Sequence, residues 1–240
     1  MQTISVIIAT YNSALFIDRA ITSIYAQTYK AHWQVIVVDD GSTDGTSQKI
    51  KDQYPGVHYI YQPNRGLAAA HNTALKVATG EWVAFIDADD FWPADRTSHL
   101  MQVFVNNPVI MIAWGLEKFV FEDPAETSRW GFTHADQQRF DIHLGARLFR
   151  REAFEQIGLF DEAMRCSDDV DWFYRAKEAA LAMEATEKCT LHYTQHAHGI
   201  SYRKDVKALQ VLQSLKKSLD RRRAANIQTL PQLSDYAKKP

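Results

Sequence analysis

Short apolar runs recur along the first half of the chain, spaced so that one helix fits between most neighbours. They are ISVIIA (4–9), QVIVVDD (34–40), VHYIY (57–61), WVAFID (82–87) and VIMIAW (109–114). These runs are rich in Val, Ile and aromatic residues and lack strict alternation, the pattern of strands buried on both faces. Between the first four, the apolar positions change to a helical period. Phe16, Ile17, Ala20, Ile21, Ile24 and Tyr25 form one stripe, and Leu67, Ala70, Ala74, Val77 and Ala78 another. Ser42 and Thr43, before a polar helical stretch, are expected as N-caps. The alternation predicts an α/β fold: a single, mainly parallel sheet flanked by helices.

Beyond about residue 115 the regularity fades. Residues 120–146 read as a loop-rich insertion over a site. Helical spacing returns at 151–157 and at 169–184, where Trp172, Phe173, Ala176, Ala179, Ala180 and Met183 share a face. A last helix is expected from about 204 to 225, with Val206, Leu209, Leu212, Leu215 and Leu219 spaced at three or four. The chain reads as one domain over 1–203, made of halves at about 1–115 and 116–203 that share a cleft. A basic amphipathic helix and tail follow over 204–240.

Composition narrows the function classes. A formal net charge of −2 argues against general nucleic-acid binding, which needs a basic face. The two cysteines, Cys166 and Cys189, show no metal-ligand spacing, which suits a reducing compartment. The opening TISVIIATYN has a short apolar run without a basic flank and reads as a core strand rather than a signal peptide. No stretch approaches the roughly 18 apolar residues that span a bilayer. A cytoplasmic protein is expected, with peripheral contact at the inner face of a membrane left open.

The polar residues cluster where the apolar runs end, and in an open α/β sheet ligands bind outside the carboxyl ends of the strands. TYN (10–12) closes the first run, DDGSTDG (39–45) the second, PNRG (63–66) follows the third, and DADD (87–90) closes the fourth. A ring, several carboxylates, two Gly-containing turns and an arginine suit a nucleoside diphosphate held with a divalent cation. Three acids within four positions repel one another, so something must compensate them. A hard cation with oxygen ligands does so, whereas a helix cap accounts for one aspartate. Asp39 and Asp40 can equally order their own turn.

The ordered set SVIIATYNSALFIDRAITSIYAQTY, VIVVDDGSTDGT, NRGLAAAHNTAL, GEWVAFIDADDFWPADR, LFRREAFEQIGLFDE and DDVDWFYRA, across roughly residues 3–200, resembles family 2 glycosyltransferases. The resemblance implies a GT-A fold and inverting transfer from a nucleotide sugar, with UDP expected. It implies that Thr10, Tyr11, Asn12, Asp40 and Gly41 hold the nucleotide, Tyr11 by stacking and Asp40 through a ring nitrogen. Arg65, Gly66, Asn72, Asp87 and Ala88 complete the donor site. Asp87 and Asp89 match the DxD motif that binds Mn2+ or Mg2+, and Asp90 supports the turn. Asp169 falls on the catalytic base, and Asp168 and Trp172 on acceptor contacts. HYTQHAHGIS lies where members carry a metal-site histidine; His196 fits that spacing, with His198 the alternative. The chain departs from the family at His71, which stands where an arginine is common, and at Thr73, where glycine is.

Expected partners are a nucleotide-sugar donor, a saccharide or lipid-linked acceptor, an anionic membrane beneath the last helix, or a second subunit there. A rival reading is a phosphatase with an Asp nucleophile in FIDADDFW, but Phe91 stands where Thr or Val is needed. A sugar nucleotidyltransferase would want a glycine-rich basic loop where ATYNSALF stands. A third rival is a degenerate transferase that only binds saccharide. Asp87, Asp89 and Asp169 together argue against it.

Overall fold

The computed structural model describes residues 1–123, 138–164, 167–196 and 204–229. Cys166, His198 and most of the expected insertion lie outside the described residues. The elements are β1 (Thr3–Thr10), α1 (Ile17–Tyr25), β2 (His32–Asp39), α2 (Thr46–Gln53), β3 (His58–Tyr61), α3 (Leu67–Leu75), β4 (Trp82–Phe85) and α4 (Arg96–Asn106). Then follow β5 (Ile112–Phe121), β6 (Gln138–Arg139), β7 (Arg147–Arg150), α5 (Glu152–Ile157), α6 (Asp168–Glu178), β8 (Met183–Gln195) and α7 (Lys204–Ala224).

The strands form one sheet in the order β3-β2-β1-β4-β7-β5-β6, with β8 pairing β5. β1, β2, β3 and β4 run parallel, β7 is antiparallel to β4 and to β5, and β8 is parallel to β5. β1 lies at the centre with both faces buried. Ile4, Val6 and Ile8 pack under α1 and α4, while Ile7 packs on the opposite side with Ala70, Phe149 and Trp172. Chain order runs outward from β1 through β2 to β3, then returns to β4 on the other flank of β1. That reversal opens a crevice at the carboxyl ends of β1, β2 and β4.

Several sequence expectations change here. Ser42 and Thr43 do not cap α2, whose N-cap is Gly45 in a left-handed conformation. Ser42 Oγ instead accepts the N–H of Asn12, and the N–H of Thr43 donates to Asn12 Oδ1. The helix expected over 169–184 ends at Glu178. Ala180 adopts φ 53°, and Met183 already begins β8. β8 escaped detection because its middle, around Glu187 and Lys188, is solvent-facing and interrupts the apolar pattern. α7 turns its small residues inward: Ser214 and Ser218 are buried, while Leu212, Leu215 and Leu219 face outward. It docks on α6 through Arg221 to Asp171 at 2.9 Å and Glu178 at 2.6 Å, and on the preceding loop through Lys217 to Asp161 at 2.5 Å.

β5 and β8 form a long pair with a register shift between Trp114 and Leu116. Gly115 sits at that shift, where an added Cβ would run into the Lys188 carbonyl and the Thr190 side chain. Both obstacles lie on a strand whose backbone is fixed by pairing, so Gly115→Ala should lower unfolding stability by about 1–3 kcal/mol. Urea unfolding followed by fluorescence measures it, and unchanged stability would refute the close approach.

Candidate active site

The crevice is a cleft of ≈ 740 Å³ lined by the ends of β1, β2, β4 and β8. Thr10, Tyr11, Asn12, Asp40, Gly66, Asp87, Ala88, Asp89 and His196 all border it. Tyr11 is 53% exposed and offers an open ring face. Thr10 is buried, with an Oγ1 that has no partner. Asn12 sits at φ 52°, a conformation that asparagine tolerates, and its side chain ties the β1 loop to Thr43.

The two acids at the end of β2 divide the work. Asp39 holds its own turn, accepting from the Ser42 N–H at 2.7 Å and the Tyr59 hydroxyl at 2.8 Å. Asp40 reaches across to the β3–α3 loop. Its Oδ1 accepts from Gln62 Nε2 at 2.7 Å and the Arg65 N–H at 2.8 Å, and its Oδ2 from the Gly66 N–H at 2.8 Å. Gly41 at φ 88° and Gly66 at φ 90° make these turns possible. Three donors fix Asp40 rigidly at the cleft wall.

The DADD turn is fastened to the far end of the chain. The Asp90 N–H bonds the Asp87 carbonyl at 3.1 Å, and Asp90 Oδ1 accepts the Thr194 N–H at 2.7 Å. Phe91 and His192 exchange backbone hydrogen bonds beside it. This joint delivers the end of β8, so that His196 Nε2 lies 2.9 Å from Asp89 Oδ2 and the imidazole stacks on Phe16 at 4.4 Å. Arg19 bridges the same elements, donating to the Asp89 carbonyl at 2.6 Å and to Thr194 Oγ1 at 2.8 Å.

Burial, then the charge of Asp89, raises the Asp87 carboxyl to about 6. Burial with Asp89 and Asp87 nearby pushes Asp90 well above the usual carboxylate range. The hydrogen bond that its imidazole donates to Asp89 raises the pKa of His196. Carboxylate oxygens of Asp87, Asp89 and Asp90 lie within 4.8 Å of one another. That donor set, short of positive charge, fits a hard divalent cation. A second group, Glu117, Asp141 and His143, fits one poorly, because Arg147 bonds the carbonyls of Asp141 and His143 there.

Beyond this lining, α6 opens on two further acids. Asp169 accepts the N–H of Val170 at 2.8 Å, and burial followed by the charge of Asp168 raises it to about 6. Asp168 is buried, and its Oδ2 faces His71 Nδ1 at 3.6 Å; neither atom has a hydrogen-bond partner.

Three expected contact residues lie outside the cleft lining. Trp172 is 0% exposed in the core, and its indole N–H donates to the Gly158 carbonyl at 2.8 Å. Asn72 is buried and bonds both the N–H and the carbonyl of Phe160. The Arg65 guanidinium pairs with Glu162 at 2.8 Å on the surface, outside the cleft lining. Each residue matches the family pattern, but burial or a local partner has absorbed its polar group.

With this geometry in place, comparison with known proteins decides the family. Glycosyl transferase family 2 matches residues 5–158. The chain belongs to that family. EpsJ of Bacillus subtilis, an uncharacterized glycosyltransferase, is 29% identical over 218 residues, covering 82% of this chain and 62% of that protein. WfgD of Escherichia coli, a UDP-Glc:alpha-D-GlcNAc-diphosphoundecaprenol beta-1,3-glucosyltransferase, is 34% identical over 108 residues, 44% of this chain and 42% of that one. The chain thus spans less than two thirds of the length of these curated relatives. The structure of the mannosyltransferase PcManGT from Pyrobaculum calidifontis, in complex with GDP-Man and Mn2+, superposes with a TM-score of 0.67 at 24% identity. The match covers 95% of this chain and 65% of that one. The fold is GT-A.

Family 2 motifs did not reveal Arg19, Glu117 or His143. Arg19 borders the apolar stripe of α1 and reads as solvated, and the other two stand in stretches without period. Only long-range pairing brings them to the cleft.

Asp90 tests how the turn is held. Its carboxyl serves as a buried backbone acceptor, in surroundings that disfavour its charged form, so Asp90→Asn should leave the melting temperature near that of the wild type. Asp90→Ala strands the buried Thr194 N–H and should lose about 1–3 kcal/mol. Calorimetry of both variants distinguishes the two; equal losses would contradict this role.

Proposed function

We propose that the chain is an inverting, metal-assisted glycosyltransferase that takes a UDP-sugar and glycosylates a hydroxyl of a lipid-linked or polysaccharide acceptor. The observation that carries this reading is the Asp87 and Asp89 carboxylate pair bordering the same cleft as Tyr11 and Asp40. Asp169, beside Asp168 at the start of α6, has a raised pKa. WfgD, by its name, uses UDP-Glc and a diphosphoundecaprenol-linked acceptor, which supports the donor and the acceptor class.

In this reading Tyr11 stacks on the uracil, Asp40 accepts from its ring N–H, and Thr10 Oγ1 gains a partner in the nucleotide. Asp87, Asp89 and His196 would hold Mn2+ or Mg2+, which supplies Lewis-acid compensation of the diphosphate charge. Asp169 accepts the proton of the acceptor hydroxyl. That oxygen attacks the anomeric carbon from the face opposite the diphosphate, the bond to the diphosphate oxygen breaks, and UDP leaves with its electron pair. One displacement inverts the configuration. The elevated pKa of Asp169 suits a base working near neutral pH, and Asp168 holds it there.

Asp169→Asn should fold, bind UDP, and lose roughly 100-fold or more in turnover. UDP release would be measured with Mn2+ and a panel of UDP- and GDP-sugars. Near-wild-type transfer would refute the base. Release of inorganic phosphate from sugar phosphates would favour the phosphatase, and UDP binding without turnover the degenerate transferase. The pH dependence has a definite sign. Below about 6 the base is protonated, so turnover should fall about tenfold per pH unit there and level off above.

The outward leucines of α7 give the acceptor a location. Leu212, Leu215 and Leu219 form an apolar strip, with Leu212 62% exposed, and Lys216 and Arg223 are exposed beside it. We assign this face to an anionic bilayer, on which leucines insert and cations meet headgroups. The full chain should co-sediment with phosphatidylglycerol vesicles and not with phosphatidylcholine ones, and a Leu212→Ser, Leu215→Ser, Leu219→Ser variant should remain in solution. A dimer in light scattering that the same substitutions dissolve would overturn this in favour of a second copy.

A further inference from the structure

His143 lies in the segment just before β7, which three side chains strap in place. Trp92 Nε1 donates to the Gly145 carbonyl at 3.0 Å, Arg96 Nη2 to the Arg147 carbonyl at 2.5 Å, and Thr190 Oγ1 to the Ala146 carbonyl at 2.9 Å. Arg96 is fully buried, with its guanidinium over the Trp92 ring at 3.8 Å. Trp92 and Arg96 follow directly on the DADD turn, so the turn that carries Asp87 also fixes the position of His143.

The imidazole itself is held on two sides. Nδ1 donates to Glu117 Oε2 at 2.5 Å, and Glu117 is completely buried on β5. The ring stacks on Tyr193 at 4.1 Å and 21°, and Tyr193 borders the donor cleft. Burial alone would lower its pKa, but the charge and hydrogen bond of Glu117 outweigh that and raise it. Its charge acts on Asp87 and on Asp169 alike. The stack on Tyr193 sets the ring directly behind the cleft wall, within electrostatic reach of both acids. With Nδ1 committed to Glu117, Nε2 is the atom that remains for a ligand.

We propose that His143 binds a hydroxyl of the transferred sugar through Nε2, with Glu117 as the positioning residue that fixes its tautomer and orientation. This rests on the nucleotide-sugar reading of the cleft. Tyr193 borders the cleft at the end of β8, beside the DADD turn, so in that reading a group seated on it is nearer the ring that travels from diphosphate to acceptor than the nucleotide base. A buried acid behind an imidazole is the arrangement that fixes which nitrogen presents its proton. The arrangement makes His143 a determinant of which sugar is accepted, and one that leaves the grip on UDP untouched.

Titration calorimetry with Mn2+ and three probes, UDP, UDP-glucose and UDP-N-acetylglucosamine, tests the proposal. His143→Ala should weaken the better-bound UDP-sugar about tenfold, the loss of one hydrogen bond to a sugar, and leave UDP within about twofold. Glu117→Gln should weaken the same UDP-sugar by a smaller factor and also spare UDP. Because removing the imidazole leaves Glu117 buried and unpaired, the double variant Glu117→Gln, His143→Phe serves if the single one fails to fold. Its ring keeps the stack on Tyr193. Equal losses for UDP and the UDP-sugar, or no loss for either, would overturn the assignment of His143 while leaving the donor reading standing. Wild-type protein that binds none of the three probes would overturn both. In turnover assays the donor KM should rise more than kcat falls, a split that mere loosening of the segment would not produce.

Discussion

The joint between Asp90 and the backbone of Thr194 is the interaction on which the rest of the site depends. It connects positions 104 residues apart, and it places a buried carboxyl against a strand end that would otherwise leave its N–H without a partner. β8 can end beside the DADD turn only because Asp90 receives it. Once it does, His196 meets Asp89, Arg19 finds both the Asp89 carbonyl and Thr194, and Tyr193 comes to lie under His143. A hydrogen bond of this kind is worth about 1 kcal/mol net, but its absence would leave a buried donor unmatched, which costs more. Geometry that several polar contacts share is held more firmly than any one contact would suggest.

The same turn carries unresolved electrostatic tension. Asp87 and Asp169 are each pushed to about 6, one by burial and Asp89, the other by burial and Asp168. The cations nearby do little to relieve this directly. Arg19 spends hydrogen bonds on the Asp89 carbonyl and Thr194, Arg147 on the carbonyls of Asp141 and His143, and Arg96 on those of Gly145 and Arg147. They build the frame and leave the carboxylates short of positive charge. A fold pays for such a site in stability, and a deficit of this kind suits a cation at the strand ends.

The first half of the fold was legible because its signals are local. Buried parallel strands read as apolar runs, their polar ends mark the crevice, and Asp40, Asp87 and Asp89 fall where the family pattern puts them. The second half was not. β8 carries an exposed middle that hides its buried ends, and α6 stops early where Ala180 turns left-handed, which no alanine announces. Trp172 and Asn72 show the limit of carrying roles across by position alone. An aromatic ring and an amide serve a core or a site equally well, and only burial tells which. The α7 leucines show the same ambiguity in reverse, since periodicity identifies a stripe but not the side it faces.

His143 illustrates why specificity escapes sequence more readily than catalysis does. The carboxylates of the DADD turn sit at a strand end, where the sheet itself positions them and where a motif of fixed spacing can record the fact. His143 is instead carried on irregular backbone just before β7. Such backbone needs its carbonyls bound one by one, here by Trp92, Arg96 and Thr190 from three different elements. The side chain also needs its own partner, here Glu117. None of these partners has a spacing that repeats, so nothing in the chain near His143 marks it. The DADD turn and the segment that carries His143 are nonetheless one mechanical unit, joined through Trp92 and Arg96, so a change in either shifts the other.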